Sequence, residues 1–252
     1  GVSVDIYEKQ SEVGGRTRTI EQDGYHFDLG PTFFLYPRIL EEIFETCGKD
    51  LREEVEMLQL NPQYRLAFEG RGNIDATADV EAMEQQISNI APGQEGGFRR
   101  YMEDNRVKLE RARPILERAF PGFRSLFAMD VLRAAPKLRP WSVDRELKKY
   151  FSDPLIRIAF SFQSKYLGMS PYQCPSLFTI LGFLEYEYGI HHPVGGFGEV
   201  SNAMRRVAEG LGARFHLETP VERIGCVLAL DLNLGSGEQR EKTEWHSVAI
   251  FS

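Results

Sequence analysis

The order of patterns along the chain predicts an α/β domain interrupted by a helical insertion. An alternating, β-branched run opens the sequence and is broken by a glycine pair. Helical periodicity then dominates the middle, and after a glycine-rich turn at 193–198 helix and strand return. The 252 residues are 42% hydrophobic and 27% charged, enough apolar mass for a packed core in one large domain or two modest ones.

Taken in order, Val2 to Glu8 reads as a strand because apolar and polar residues alternate. Glu12 to Arg18 breaks it, and Gly24 to Pro37 reads as an irregular loop with a strand-like beginning. From Arg38 to Thr46, Ile39, Leu40, Ile43 and Phe44 recur at helical spacing, and Gly48 stands where a C-terminal cap belongs. Val55–Leu60, Tyr64–Glu69 and Gly72–Thr77 predict short antiparallel strands separated by Asn-Pro and Glu-Gly turns. Asp79 opens a helical region. One helix covers Val80–Ile90 and stops at Pro92-Gly93; a longer one covers Gly97–Arg118 and bends at Pro114; a third covers Phe123–Ala134. Asp153-Pro154 starts another, with Asp as N-cap and Pro at the first helical position. Pro175–Glu187 reads as an apolar helix and Glu199–Gly210 as a further one. Ala213–Leu217 and Val221–Ile224 read as strands. This pattern places one domain at residues 1–50 and 194–252, around an insertion at 51–193 with short strands over 51–78 and helices over 79–193.

Thirty basic residues against thirty-seven acidic ones give a net charge of −7, the wrong balance for non-specific nucleic-acid binding. Cys47, Cys174 and Cys226 lie far apart, which excludes a disulfide framework, argues against structural zinc and fits a reducing compartment. No apolar run approaches the roughly 20 residues that a spanning helix needs. The sequence opens at Gly1 inside a strand-like run, shows no signal peptide, and reads as a fragment. Between Arg99 and Lys149, fourteen Lys/Arg stand against seven Asp/Glu, interleaved with Phe120, Phe123, Leu126, Phe127 and Trp141. Such a block fits an interfacial helix resting on an anionic membrane, or an ordinary helical subdomain with a cationic solvent face.

The chemistry-bearing residues gather around glycines. Glu8 ends the first strand, where an acid can accept both ribose hydroxyls of an adenine dinucleotide. Gly14 and Gly15 allow close backbone approach, and Arg16 can reach a pyrophosphate with forked donors. The same residues also read as a surface turn followed by a cationic strand. Phe27 to Thr32 (FDLGPT) reads on its own as a turn with Asp28 as a cap. The glycines of Pro193–Gly198 could cradle an anion before a helix, although a plain strand-to-helix turn is the favoured reading. His191-His192 lacks a further ligand at metal spacing and reads as solvated or substrate-facing. No nucleophile–base pair is legible, so neither a catalytic side chain nor a metal is assigned.

Together, and in this order, these motifs resemble a known family. Glu8 to Thr19 resembles the glycine-doublet region of the flavoprotein amine-oxidase and carotenoid-desaturase superfamily. FDLGPT, the stretch SKYLGMSP (Ser164 to Pro171), the run EYEYGI (Glu185 to Ile190) and Arg205 to Ile224 are similar to bacterial-type phytoene desaturases. The resemblance covers nearly all of residues 2–224 and weakens beyond Gly225. It implies a Rossmann-type FAD-binding domain, here partial: the family's opening G-x-G-x-x-G unit and closing glycine-rich flavin segment are not in this sequence. It implies that Glu8 binds the adenosine ribose and that Gly14, Gly15 and Arg16 contact the ribityl-pyrophosphate region. Gly30, Pro31 and Thr32 would pass close to the isoalloxazine, and Val221, taken as part of a strand, would contact adenine through its backbone. The implied activity is FAD-dependent dehydrogenation of a long isoprenoid hydrocarbon in carotenoid biosynthesis, with the flavin carrying the chemistry inside a dry apolar channel. The implied location is cytoplasmic, with peripheral membrane attachment through the insertion. A polyene isomerase or saturase, an amine oxidase, and a non-catalytic membrane-surface piece are the alternatives.

Overall fold

In a computed structural model of the chain, residues 2–94, 96–116, 141–226 and 248–251 are described. In chain order the elements are β1 (Asp5–Tyr7), β2 (Thr19–Gln22), β3 (Tyr25–Asp28), α1 (Arg38–Thr46), α2 (Leu51–Glu54), β4 (Met57–Gln59), β5 (Arg65–Phe68) and β6 (Gly72–Asp75). There follow α3 (Val80–Ile90), α4 (Gly97–Leu116), α5 (Val143–Leu147), α6 (Pro154–Ala159), α7 (Thr179–Tyr188) and β7 (His191–Pro193). The chain continues with α8 (Gly198–Gly210), β8 (Arg214–His216), β9 (Arg223–Cys226) and β10 (Val248–Phe251). The helix expected over Phe123–Ala134 lies outside the described residues.

The chain divides into two compact units: Gly1–Thr32, Phe44–Glu56 and Pro193–Ser252 form the first, and Phe33–Ile43 and Met57–His192 the second. Two segments fall on the other side of the boundaries expected from sequence, 1–50 with 194–252 against 51–193. Residues 33–43 join the second unit because the Phe34 backbone bridges to His191 and Tyr36 packs edge-on against Tyr188, with centroids 4.7 Å apart. Residues 51–56 join the first because Leu51 and Val55 are buried there. The Glu54 and Glu56 carbonyls accept from Arg206 Nη2 and the Val194 amide.

In the first unit, β1 runs parallel to β8, with Ile6 opposite Phe215 and Tyr7 opposite His216. Asp5 accepts from Arg214 Nε and Nη2 at 2.8 and 2.7 Å and lies 2.8 Å from His216 Nε2. The Arg214 guanidinium, and then His216, hold its carboxyl well below the usual carboxylate range. The loop expected from Gly24 begins instead as a hairpin, β2–β3. Asp23 and Gly24 both take left-handed backbone, φ 53° and 78°, which is the two-residue turn whose twist matches paired strands. α8 turns Val200, Ala203 and Val207 inward at spacings of three and four residues. The strand expected from Val221 begins only at Arg223; Val221 itself is exposed and irregular.

The second unit packs α3, α4 and α7 with the β5–β6 hairpin, in which Leu66 lies opposite Ile74. Met83, Ile87 and Ile90 form the inner face of α3, and Asp79 caps that helix by accepting from the Ala82 amide. α4 contributes Phe98, Tyr101, Met102, Leu109 and Ala112. Asp153 caps α6 by accepting from the Leu155 and Ile156 amides, with Pro154 at the first helical position. β4 pairs with β7 rather than with its sequence neighbour β5.

A polar cluster is sealed into this core. Lys108 Nζ lies 3.4 Å from Glu146 Oε1 and donates to Thr179 Oγ1 at 2.8 Å. Glu146 Oε2 accepts from Trp141 Nε1 and Lys149 Nζ. Burial pushes the Glu146 carboxyl upward, but the bond from Lys149, the Lys108 charge and the indole N–H outweigh it and hold it below its ordinary range. Among the described residues, no helix is long and apolar enough to cross a membrane.

Candidate functional site

Three backbone segments of the first unit meet at Thr19 and Asp28. Thr19 Oγ1 donates to Asp28 Oδ1 at 2.6 Å and accepts from the Gly198 amide at 2.9 Å. The Phe197 amide donates to the same Asp28 oxygen at 2.8 Å. The Gly196, Glu199 and Val200 amides are bonded inside the turn, to the carbonyls of Pro193, Gly196 and Phe197. The donors at the start of α8 are therefore engaged by the protein itself, and the turn at 193–198 is a strand-to-helix connection rather than an anion cradle. Asp28 caps α8 from across the unit.

The glycine doublet packs against the same helix. Gly14 has φ 101°, and a Cβ there would lie 2.9 Å from Ser201 Oγ. Thr17 Oγ1 lies 2.8 Å from Ser201 Oγ and closes the turn by donating to the Gly14 carbonyl. Gly15, also left-handed, faces open space. Arg16 beside it is exposed, and its guanidinium has no partner among the described residues. Gly30 backs onto this loop so closely that a Cβ would collide with the Arg16 carbonyl. Pro31 and Thr32 are exposed beyond it.

Glu8 follows β1 directly. Its amide donates to the His216 carbonyl at 3.0 Å, and its Oε1 accepts from the Gln10 amide at 2.9 Å. The structure thus brings Gly14, Gly15, Arg16 and Gly30 together and sets Glu8 at the end of a parallel strand. Val221 is not in the strand assigned to it. An exposed guanidinium beside an open glycine, with a half-buried acid at a strand end, is the donor and acceptor set that an adenine dinucleotide requires. The first unit also has a polar cleft of about 240 Å³. None of the eight predicted residues lines it, and Glu12, Glu21 and Glu199 make it a poor place for a pyrophosphate.

The second unit holds an apolar cavity of about 210 Å³ lined by Ile39, Leu109, Leu177, Ile180, Leu181 and Leu184, with Arg113 donating to Tyr36 Oη at 3.4 Å in its wall. Next along α7, Glu185 is wholly buried. Its Oε2 accepts from Tyr64 Oη at 2.9 Å and Gln163 Nε2 at 2.7 Å, and its Oε1 from Tyr166 Oη at 3.0 Å. The Tyr64 and Tyr186 hydroxyls stand 3.0 Å apart. Sequence reading missed this cluster and assigned no acid–base group. The available signal was an acid directly after the apolar run Ile180–Leu184, together with the tyrosine of SKYLGMSP.

The basic block is less free than its composition implies. Arg99 pairs with Glu81, Arg106 with Glu187, Lys108 and Lys149 with Glu146, and Lys148 with Asp144. Phe120, Phe123, Leu126 and Phe127 lie outside the described residues.

A parallel strand pair ending in an acid, beside a glycine doublet and an arginine unpaired among the described residues, belongs to an α/β protein. The chain belongs to the flavin containing amine oxidoreductase family, whose profile matches residues 1–240. It is 39% identical over 225 residues to the 4,4'-diapophytoene desaturase (4,4'-diapolycopene-forming) of a Methylomonas species, covering 89% of this chain and 44% of that protein. It is 32% identical over 226 residues to the zeta-carotene-forming phytoene desaturase of Myxococcus xanthus, with coverages of 89% and 44%. The fold matches that of a putrescine oxidase redesigned in its cofactor binding, with TM-score 0.53 at 18% identity, over 89% of this chain and 47% of that one. The chain spans less than half the length of the curated relatives it matches.

Proposed function

We propose that the protein carrying this chain is an FAD-dependent oxidoreductase that dehydrogenates a long isoprenoid hydrocarbon in carotenoid biosynthesis, as the desaturases it resembles are named to do. The apolar cavity carries the reading. At roughly 30 Å³ per liquid water, its 210 Å³ is about seven waters in size, room for one branched end of such a chain. Among the described residues its lining holds no carboxylate to meet an ammonium, which favours a hydrocarbon over an amine. The first unit is the flavin-binding part and the second the substrate part. Glu8 holds the ribose, Gly14, Gly15 and Arg16 the ribityl-pyrophosphate region, and Val221 the adenine through its backbone. Gly30, Pro31 and Thr32 border the isoalloxazine. The flavin supplies the two-electron acceptor; the protein supplies alignment and a dry site. Whole protein incubated with phytoene or 4,4'-diapophytoene and excess oxidised FAD as electron acceptor is expected to yield a more conjugated, coloured polyene. Flavin-loaded protein that leaves both hydrocarbons unchanged would remove this reading.

Two expectations follow for the cofactor and the membrane. Glu8→Ala removes a charge-assisted hydrogen bond to ribose, and about 1.5–3 kcal/mol corresponds to roughly 10- to 150-fold weaker FAD binding. Titration of the deflavinated whole protein measures it, and an unchanged Kd would clear Glu8 of this role. Peripheral attachment through the block at 99–149 predicts co-sedimentation with anionic vesicles that declines as salt rises, each unpaired base near the surface contributing about 1 kcal/mol. Equal pelleting with neutral vesicles would count against it.

A further inference from the structure

The apolar cavity of the second unit has a floor and a rim. Its floor is Leu109 of α4 and Ile180 of α7, 7% and 5% exposed, and its rim includes Ile39 of α1, 50% exposed. Leu181 and Leu184 stand half-buried between them. α7 is two-faced: Ile180, Leu181 and Leu184 turn to the cavity, whereas Phe183 and Tyr186 are sealed in the core. The Arg113 guanidinium bonds to the Tyr36 hydroxyl at 3.4 Å, and the wall that faces the cavity is almost wholly carbon.

The floor is held in place from behind. Lys108 and Thr179, the residues just before Leu109 and Ile180, belong to a polar ladder that ties α4 to α7. Lys108 Nζ donates to Thr179 Oγ1 at 2.8 Å, and Thr179 Oγ1 donates to Asn105 Oδ1 at 2.7 Å. Tyr101 Oη donates to the Thr179 carbonyl at 2.8 Å. All four residues are buried. Parting the two helices to deepen the cavity would strand these groups in the core, which costs more than burying another methyl group returns. The depth is therefore fixed. A cavity of about 150 Å³ holds the six carbons of benzene, so 210 Å³ holds about eight.

Resting on the desaturase reading, we propose that Leu109 and Ile180 determine specificity: they stop an acyclic, methyl-branched chain end after about eight carbons and turn a cyclised end away. An acyclic end halts at the floor with its remaining carbons outside the rim. A trimethyl-substituted six-membered ring must bring all its carbons in together and needs about 225 Å³ by the same scaling. Forcing it in drives packed side chains off their rotamers. Leaving it outside forfeits the burial of the whole end, about fourfold in affinity for each carbon.

The test uses the whole protein and two volatile probes, the acyclic 2-methyl-2-heptene and the cyclic 1,5,5-trimethylcyclohexene, with Kd read from depletion of the headspace over the solution. Wild type is expected to hold the acyclic probe about tenfold or more tightly than the ring. I180A trims the floor to a methyl group and should bring the two affinities within about threefold. I180V trims it less and should move the ratio in the same direction, which keeps the test decisive if the alanine variant does not fold. L181F narrows the cavity from the side and should weaken the acyclic probe by about tenfold. Equal wild-type affinities, or a ratio unmoved in I180V, overturn the stop. Flavin-loaded protein that gives that result yet desaturates an acyclic hydrocarbon leaves the desaturase reading standing. The expected ratios in flavin-loaded protein that desaturates no acyclic hydrocarbon uphold the stop and remove that reading.

Discussion

Glu146→Ala is expected to destabilise the second unit by about 3–5 kcal/mol, because it strands a buried cation. Lys108 and Glu146 side chains are 5% and 4% exposed, and among the described residues Thr179 Oγ1 is the other oxygen bonded to the ammonium. Burial already pushes Lys108 below its ordinary range, and the Glu146 charge is the largest influence opposing that. Alanine removes this charge and also releases the Trp141 N–H and the Lys149 ammonium. Urea unfolding gives the measurement, read from the midpoint at constant slope. The double variant Glu146→Ala with Lys108→Met should recover much of the loss, since no charge is then left unpaired. A single variant within about 1 kcal/mol of wild type would mean that Lys108 is neutral or finds water instead.

Phe98→Ala carries an expected loss of similar size, about 3–5 kcal/mol, for a different reason. The ring is completely buried, and its neighbours are Tyr186 at 5.1 Å, Phe160 at 5.6 Å and Tyr101 at 6.4 Å. Those aromatics also pack on one another as tilted pairs, so they cannot easily close over the hole. The spread within that range depends on how far they relax. Phe98→Leu should lose about half as much, and thermal unfolding of both variants measures the difference. The substitution also loosens Tyr186, whose hydroxyl meets that of Tyr64 beside Glu185.

How far these features could be read in advance depends on where their partners lie along the chain. α1 was expected at Arg38–Thr46 and is found there, with Gly48 left-handed just beyond it. α3 and α6 begin where Asp79 and Asp153 predicted them. Each signal rests on contacts within about four residues. The β2–β3 hairpin was missed although Asp23-Gly24 is a strong local turn signal, because the following Gly-Pro drew the whole stretch into a loop. The glycine doublet and Glu8 were legible because a close backbone approach and a strand-end acid leave marks in the residue types themselves.

The sequence by itself determined the order of helices, their capped starts, the glycine doublet with its acid and arginine, and the family to which they belong. Only the tertiary structure decided that β4 pairs with β7, that residues 33–43 belong to the second unit, and that Asp28 closes the turn at 193–198. It alone assembled Tyr64, Gln163 and Tyr166 around Glu185, where Tyr64 and its carboxylate partner are 121 positions apart. Local patterns survive in the sequence because each is stabilised by near neighbours. Strand partners and buried polar clusters are chosen by which distant segments the collapsed core brings within hydrogen-bonding reach, and no spacing along the chain records that choice.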